Sequence, residues 1–249
     1  MRIIVCENYE GVSKKAAQMI LSQVTLKPNS VIGLATGSTP LGMYEKLVEM
    51  NKKGDIDFSQ VKTFNLDEYY NLPRTSDQSY YYFMHKNLFN HINIDNKNIN
   101  IPNGMSADIE KECKKYDNAI EQAGGIDIQV LGIGGNAHIG FNEPTINFET
   151  KTHLVELEET TIIANSRFFQ TKEEVPQKAI TMGVGSIFKS RKIILLASGD
   201  EKSDAIYNTV YGKVIPEVPS SILQFHNDIV LILDKKAAKR LDKQDYKTI

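Results

Sequence analysis

The sequence predicts a doubly wound α/β fold, a mostly parallel sheet flanked by helices in a single domain over residues 1–249. Three observations predict it. Short apolar runs rich in β-branched residues alternate with longer amphipathic stretches along the whole chain. The apolar runs lack strict polar/apolar alternation, so they suit strands covered on both faces, and helical stretches between them imply parallel pairing through right-handed crossovers. No Pro/Gly/Ser-rich linker, low-complexity tract or internal repeat interrupts the pattern.

The elements follow in order. Ile3 to Val5 is the first strand, and helical periodicity covers Gly11 to Gln23. Val31 to Ala35 is the second strand, followed by a helix over Leu41 to Lys53; Val61 to Asn65 is the third, followed by helical sequence from Ser79 to His91. Asp108 to Ala123 reads as a helix ahead of the strand Ile126 to Ile133. Ile193 to Ala197 precedes a helix from Lys202 to Tyr211, and Ile229 to Leu233 is the last strand. In such a sheet ligands collect at the carboxyl ends of the strands, near the point where strand order reverses.

Composition narrows the function. The 29 Lys and Arg residues against 31 Asp and Glu are mixed along the chain, so neither a phosphate-backbone nor an anionic-lipid footprint is written here, and nucleic acid and membrane are not expected as partners. No apolar run approaches membrane-spanning length. Met1 to Ile4 leads directly into strand-like sequence without a charged and apolar leader, and Cys6 and Cys113 form neither a CxxC pair nor a disulfide framework. A cytoplasmic location with both thiols reduced is expected.

Three segments carry chemistry. Ala35-Thr36-Gly37-Ser38-Thr39-Pro40 lies between a strand and a helix, with Thr39 expected as N-cap and Pro40 as first helical residue, so small residues and free N–H groups would converge on an anion such as phosphate. The segment alone fits an ordinary capped turn equally well, and it lacks P-loop spacing. Thr63 to Tyr69 brings Asp67 and Glu68 to the end of the third strand. One of them is a candidate general base, although adjacent acids there are commonly solvated or capping. Leu131 to Pro144, LGIGGNAHIGFNEP, sets His138 and Glu143 in a glycine-rich loop, an imidazole and a carboxylate suited to moving a proton near neutral pH. Gly132 to Ala137 also fits GxGxxA, with Glu156 as a ribose acceptor, but Asn142 and Pro144 forbid the helix that a dinucleotide fingerprint needs.

Arg167 and Lys202 complete the inventory as candidate cations, and Arg suits bidentate phosphate contact. Lys202 at a helix start opposes the dipole unless an anion accompanies it, and a pairing with Asp200 or Glu201 would satisfy it as well. His85, His91, His153 and His226 show no ligand spacing, so no metal is expected.

With these segments in hand, the chain resembles the glucosamine-6-phosphate deaminase (isomerising) family over essentially its full length. The resemblance rests on ATGSTP, TFNLDEY, GIGGNAHIGFNEP, ANSRFF at Ala164 to Phe169, and the lysine of SGDEK, in the family's order and spacing. It implies a modified, Rossmann-like doubly wound sheet and conversion of glucosamine 6-phosphate to fructose 6-phosphate and ammonia, with no cofactor and no metal. It implies that His138 assists ring opening with Glu143 and Asn136, that Asp67 moves a proton from carbon-2 to carbon-1, and that Thr36, Gly37, Ser38, Thr39, Arg167 and Lys202 cradle the 6-phosphate. It leaves monomer and homo-oligomer both open, along with the choice between glucosamine and galactosamine 6-phosphate.

Several positions depart from the family pattern. Asn136 stands where many members have Asp, Ser38 stands where Gly is common, and Ala137 stands where Gly is usual. If the backbone at position 137 needs positive φ, the methyl adds about 1 kcal/mol of strain and bears on His138. Where allosteric members carry polar and basic residues for N-acetylglucosamine 6-phosphate, this chain has Ile146, His153, Val155 and Glu156, so no activation by that effector is expected. Two other functions fit parts of this pattern. 6-Phosphogluconolactonase shares the fold and a loop histidine but lacks the NEP ending, and a non-catalytic sugar-phosphate sensor would have no use for Asp67, His138 and Glu143 together.

Overall fold

The structure, a computed structural model, describes residues 1–166, 169, 171 and 174–249. In chain order the regular elements are β1 (Arg2–Cys6), α1 (Tyr9–Leu26), β2 (Val31–Leu34), α2 (Leu41–Lys53), β3 (Lys62–Asn65), β4 (Asp67–Tyr69), α3 (Tyr80–Asn87), β5 (Ile99–Asn100), α4 (Ile109–Gln122) and β6 (Ile128–Leu131). They continue with β7 (His153–Glu156), α5 (Glu159–Ser166), β8 (Lys178–Thr181), α6 (Val184–Phe188), β9 (Lys192–Ala197), α7 (Ser203–Tyr211), β10 (Ile229–Asp234) and β11 (Lys247–Thr248). Every strand and helix expected from periodicity is present within a few residues of its expected ends. The exception in form is Ser79 to His91, which is α3 followed by a separate 3-10 turn at Phe89–His91.

Eight strands form the main sheet in the order β11-β1-β10-β9-β6-β2-β3-β5, and each printed pairing within it is parallel. From β2 the chain builds outward through β3 to β5; from β6 it builds the other way through β9 to β10. Strand order therefore reverses between β2 and β6, and the crevice at their carboxyl ends is the natural ligand site. The central strands are buried on both faces, as their continuous apolar runs require. One face packs Phe64, Leu131, Leu195 and Leu231 beneath Ile120 of α4 and Ile206 of α7. The other packs Ile32, Val130, Ile194 and Ile232 against Ile20 of α1 and Leu47 of α2.

Two features depart from the expectation. A second, antiparallel sheet of order β4-β8-β7 accompanies the first, so Asp67 lies in a short strand of its own, paired with Thr181, rather than at the end of β3. Thr39 is not the N-cap of α2: the helix begins at Leu41, and the cap position is Pro40, which has helical φ and ψ and no side chain able to accept. The hydroxyl of Tyr9, from α1, takes over that duty by accepting from Gly42 N at 2.8 Å while donating to Ser38 O at 3.0 Å. Among the described residues, no helix is long and apolar enough to cross a membrane.

Candidate active site

The loop after β2, the start of β4, the loop after β6 and the first turns of α5 and α7 surround one pocket of about 530 Å³, within the range of small-molecule sites. Thr36, Gly37, Ser38, Thr39, Asp67, Asn136, His138 and Lys202 all line it. Glu143 does not line it but lies buried behind His138. Arg167 lies outside the described residues. Asp67 and the His138 loop are close: a methyl on Gly140 would lie 3.7 Å from Asp67 Oδ2, two residues along the chain from His138.

The adjacent acids divide the two roles that sequence alone left open. Glu68 is a capping carboxylate: its oxygens accept from Tyr69 N, Tyr80 N and Tyr81 N at 2.9, 2.9 and 2.8 Å, and thereby satisfy the first N–H groups of α3. Asp67 faces the pocket, 5% exposed, with one long hydrogen bond from Thr36 Oγ1 at 3.4 Å. Burial and the neighbouring charge of Glu68 push its carboxyl up to about 8, against the small opposing effect of Thr36.

The glycine-rich loop is irregular backbone, as Asn142 and Pro144 lead one to expect, and it holds a compact acid/base pair. His138 Nδ1 and Glu143 Oε2 are 3.1 Å apart. Glu143 also accepts from Thr161 Oγ1 at 2.6 Å and from Asn136 Nδ2 at 2.8 Å. Burial acts to raise the Glu143 carboxyl, but the hydrogen bonds and charge of His138, with Thr161 and Asn136, hold it below its ordinary value. The loop leaves room for the imidazole at Gly134, where an added Cβ would fall within 2.4 to 2.6 Å of three ring atoms of His138. Ala137 does adopt positive φ, 68°, so the anticipated strain is real. Its backbone is pinned on both sides, by Ala137 N to Gly134 O at 3.0 Å and Ser220 N to Ala137 O at 3.1 Å, and its methyl is buried in the core. The His138–Glu143 contact survives it.

Thr36–Thr39 and Lys202 line the same cavity and bring anion-binding capacity to it. A 3-10 turn, Asp200–Lys202, leads into α7, and Asp234 at the end of β10 anchors that turn by accepting from Gly199 N at 3.1 Å and from Ser198 Oγ, while also accepting from Ala237 N at 2.7 Å. Asp200 pairs with Lys239 at 3.1 Å. Glu156, the ribose acceptor of a dinucleotide reading, is exposed in β7 and pairs with Lys178 at 2.9 Å. Among the described residues, no group of three or more His, Cys, Asp or Glu side chains is arranged to hold a metal ion.

Sequence reasoning missed Tyr80, Glu158, Thr160 and Thr161. Tyr80 lines the pocket and stacks on Phe141 with ring centroids 6.0 Å apart and planes 10° apart. Glu158 and Thr161 reach Asn136 and Glu143 from the start of α5, and the only hint in sequence is an acidic-Thr cluster, Glu158 to Thr161, ahead of an apolar pair.

Comparison with known proteins agrees with this geometry. Residues 7–231 match the family described as glucosamine-6-phosphate isomerases/6-phosphogluconolactonase. Relatives named glucosamine-6-phosphate deaminase include one from Clostridium botulinum (strain Eklund 17B / Type B), 69% identical, and one from Clostridioides difficile (strain 630), 61% identical, each alignment covering 100% of both chains. A solved structure described as a monomeric glucosamine-6-phosphate deaminase superposes with a TM-score of 0.94 at 40% identity, covering 96% of this chain and 99% of that one. A 6-phosphogluconolactonase from Trypanosoma cruzi shares the fold, with a TM-score of 0.75 at 20% identity over 96% of each chain.

Proposed function

Since the chain belongs to the family of glucosamine-6-phosphate isomerases and 6-phosphogluconolactonases, we propose that it converts glucosamine 6-phosphate and water to fructose 6-phosphate and ammonia, a step of amino-sugar catabolism. Full-length relatives named for that reaction support it. The observation that carries the reading is a single pocket with a buried carboxyl of raised pKa, Asp67, on one side and the Glu143-paired imidazole of His138 on another.

The proposed chemistry follows from these environments. The 6-phosphate binds between Thr36–Thr39 and Lys202, with Arg167 as a further contact, and this remote binding energy orients the reacting carbons. His138, oriented by Glu143, exchanges the proton that opens the pyranose ring. Asp67 takes the carbon-2 proton of the open chain, an enolamine forms, and the same carboxyl returns a proton to carbon-1. Water then adds to carbon-2 of the resulting ketimine, and ammonia leaves. A carboxyl raised toward neutrality is a stronger base than an ordinary Asp, and a positioned base contributes on the order of 10² to 10⁴ in rate. Asn136 orients Glu143 and does not itself carry the proton.

We also propose that N-acetylglucosamine 6-phosphate does not activate the enzyme. Ile146 is 84% exposed, Val155 packs on the small core around Tyr69, Glu156 is committed to Lys178 and His153 Nδ1 is engaged with Lys151 O at 2.9 Å, so these positions offer no lysine or arginine to a second phosphate. The decisive assay incubates the purified protein with glucosamine 6-phosphate and, separately, galactosamine 6-phosphate and 6-phosphogluconolactone. Ammonia with fructose 6-phosphate from the first is the expected result, and lactone hydrolysis without ammonia release would overturn the reading. Kinetics that turn from sigmoidal to hyperbolic on adding N-acetylglucosamine 6-phosphate would overturn the regulatory part.

A further inference from the structure

Resting on that reading of the pocket, we propose that Glu158 is a positioning residue of the active site: it holds Asn136 as a neutral bridge between two carboxylates and so decides which side chain position 136 can carry. Asn136 Nδ2 donates to Glu143 Oε2 at 2.8 Å and to Glu158 Oε2 at 3.2 Å, while its Oδ1 accepts from His138 N at 3.2 Å. An amide has two N–H hydrogens, and each carboxylate takes one. The orientation of the amide is dictated by its surroundings, because the reversed one would aim its oxygen at two carboxylates and its NH₂ at another N–H.

Glu158 is well placed for the task. Its carbonyl accepts from Ile162 N at 2.9 Å at the start of α5, which fixes its backbone, and three residues on Thr161 donates directly to Glu143 at 2.6 Å. The same short segment therefore reaches Glu143 twice, once through Thr161 and once through the Glu158–Asn136 bridge. Without the amide hydrogens, Glu143 and Glu158 would face each other as like charges. An Asp at position 136 would remove both donors and bring a third carboxylate to the cluster. The charge would be relieved by protonation or by displacement of a side chain, and either changes the partner that His138 relies on. A Gln at position 158 would restore a donor to that Asp. Positions 136 and 158 are thus coupled, and the Asn136–Glu158 pairing is one of the compatible sets.

The test is a double-mutant cycle of Asn136→Asp and Glu158→Gln on the full chain, read by steady-state kinetics and by NMR titration of the His138 ring. Asn136→Asp alone is expected to lower kcat about 100-fold with KM within about threefold and to raise the pH at which His138 titrates. The double variant is expected to recover at least about tenfold and to return the His138 titration toward that of the wild type, a sign reversal that independent sites do not give. Glu158→Gln alone keeps an acceptor for Asn136 and stays within about threefold of wild type, whereas Glu158→Ala does not and falls further. The titration needs no substrate, so it reports the coupling even if the deaminase reading fails. The proposal is overturned if Asn136→Asp behaves as wild type, or if the single and double variants turn over and titrate alike. Should Asn136→Asp not fold, Glu158→Ala with wild-type turnover and an unmoved His138 titration overturns it equally.

Discussion

Replacing Asp67 by Asn should make the protein more stable while nearly abolishing turnover, and the gain should grow with pH. The unfolded chain loses this proton near the ordinary Asp value of about 3.9. The folded chain keeps it to about 8, because burial and Glu68 disfavour the charge. Between those values the folded state binds more protons than the unfolded state, so stability contributed at this site falls as pH rises through the window. At pH 7 the whole effect corresponds to a ceiling of about 4 kcal/mol. Water entering the open mouth of the pocket screens part of it, and about 2 kcal/mol, or 4 to 8 °C in Tm for a chain of this size, is the expected gain for Asn, which keeps an acceptor for Thr36. Urea melts of both proteins at pH 4, 7 and 8.5 should show little difference at the lowest pH, a clear one at pH 7 and a plateau near the highest. Turnover should drop by about 10² to 10⁴, and wild-type kcat/KM should rise with pH toward about 8 as the base ionises. A stability difference that ignores pH would refute the buried-carboxyl argument, and retained turnover would remove Asp67 from the chemistry.

Gly134→Ala drives a methyl into the His138 ring at 2.4 to 2.6 Å, so kcat should fall about 100-fold with only a modest loss of stability; unchanged kcat would mean that the ring position is not critical. Asp234→Asn weakens the anchor of the turn carrying Lys202, and KM should rise about tenfold with kcat within about twofold, whereas a fall in kcat at constant KM would place the defect elsewhere. Ala137→Gly relieves about 1 to 2 kcal/mol of backbone strain but loosens the unfolded chain and deletes a buried methyl, and the three terms nearly cancel. Its Tm should therefore lie within about 4 °C of wild type, and a gain above about 2 kcal/mol would show that the strain is larger than the φ of 68° implies.

The six inner strands of the main sheet were legible because they are apolar runs and the helices over them are amphipathic, so burial leaves its mark directly on residue order; the two-residue edge strands β5 and β11, which are not buried, were not. The second sheet was not. β4, β7 and β8 are three or four residues long, β4 and β7 carry acids, and their pairing joins positions more than 100 residues apart along the chain for β4 and β8. Local pattern contains none of that. The cap of α2 was misread for a related reason: Thr39 has the right chemistry, but Tyr9 reaches in from another helix and meets the same need. In the site, the clustered motifs announced Asp67, His138 and Glu143 through residue type and spacing. Glu158 and Tyr80 carried no such signal, since their places in the pocket depend on how α5 and α3 pack against the loop after β6.

The division of labour between Asp67 and Glu143 is set largely by the donors each receives. Asp67 and Glu143 are each 5% exposed. Burial alone would raise both, and it does raise Asp67, which has one long hydrogen bond and an acidic neighbour. Glu143 receives His138, Thr161 and Asn136, and these outweigh its own burial and hold its carboxyl below the ordinary value. Environments that push two carboxyls apart in this way separate a group that exchanges protons from a group that stabilises charge. Asp67 then has the proton affinity to act on carbon, and Glu143 has the permanent charge to hold an imidazole in one orientation through a proton transfer. Exchanging the roles would require moving the three donors, and the segments that supply them, the loop after β6 with Asn136 and His138 and the start of α5 with Thr161, are tied to Glu143 by those same contacts.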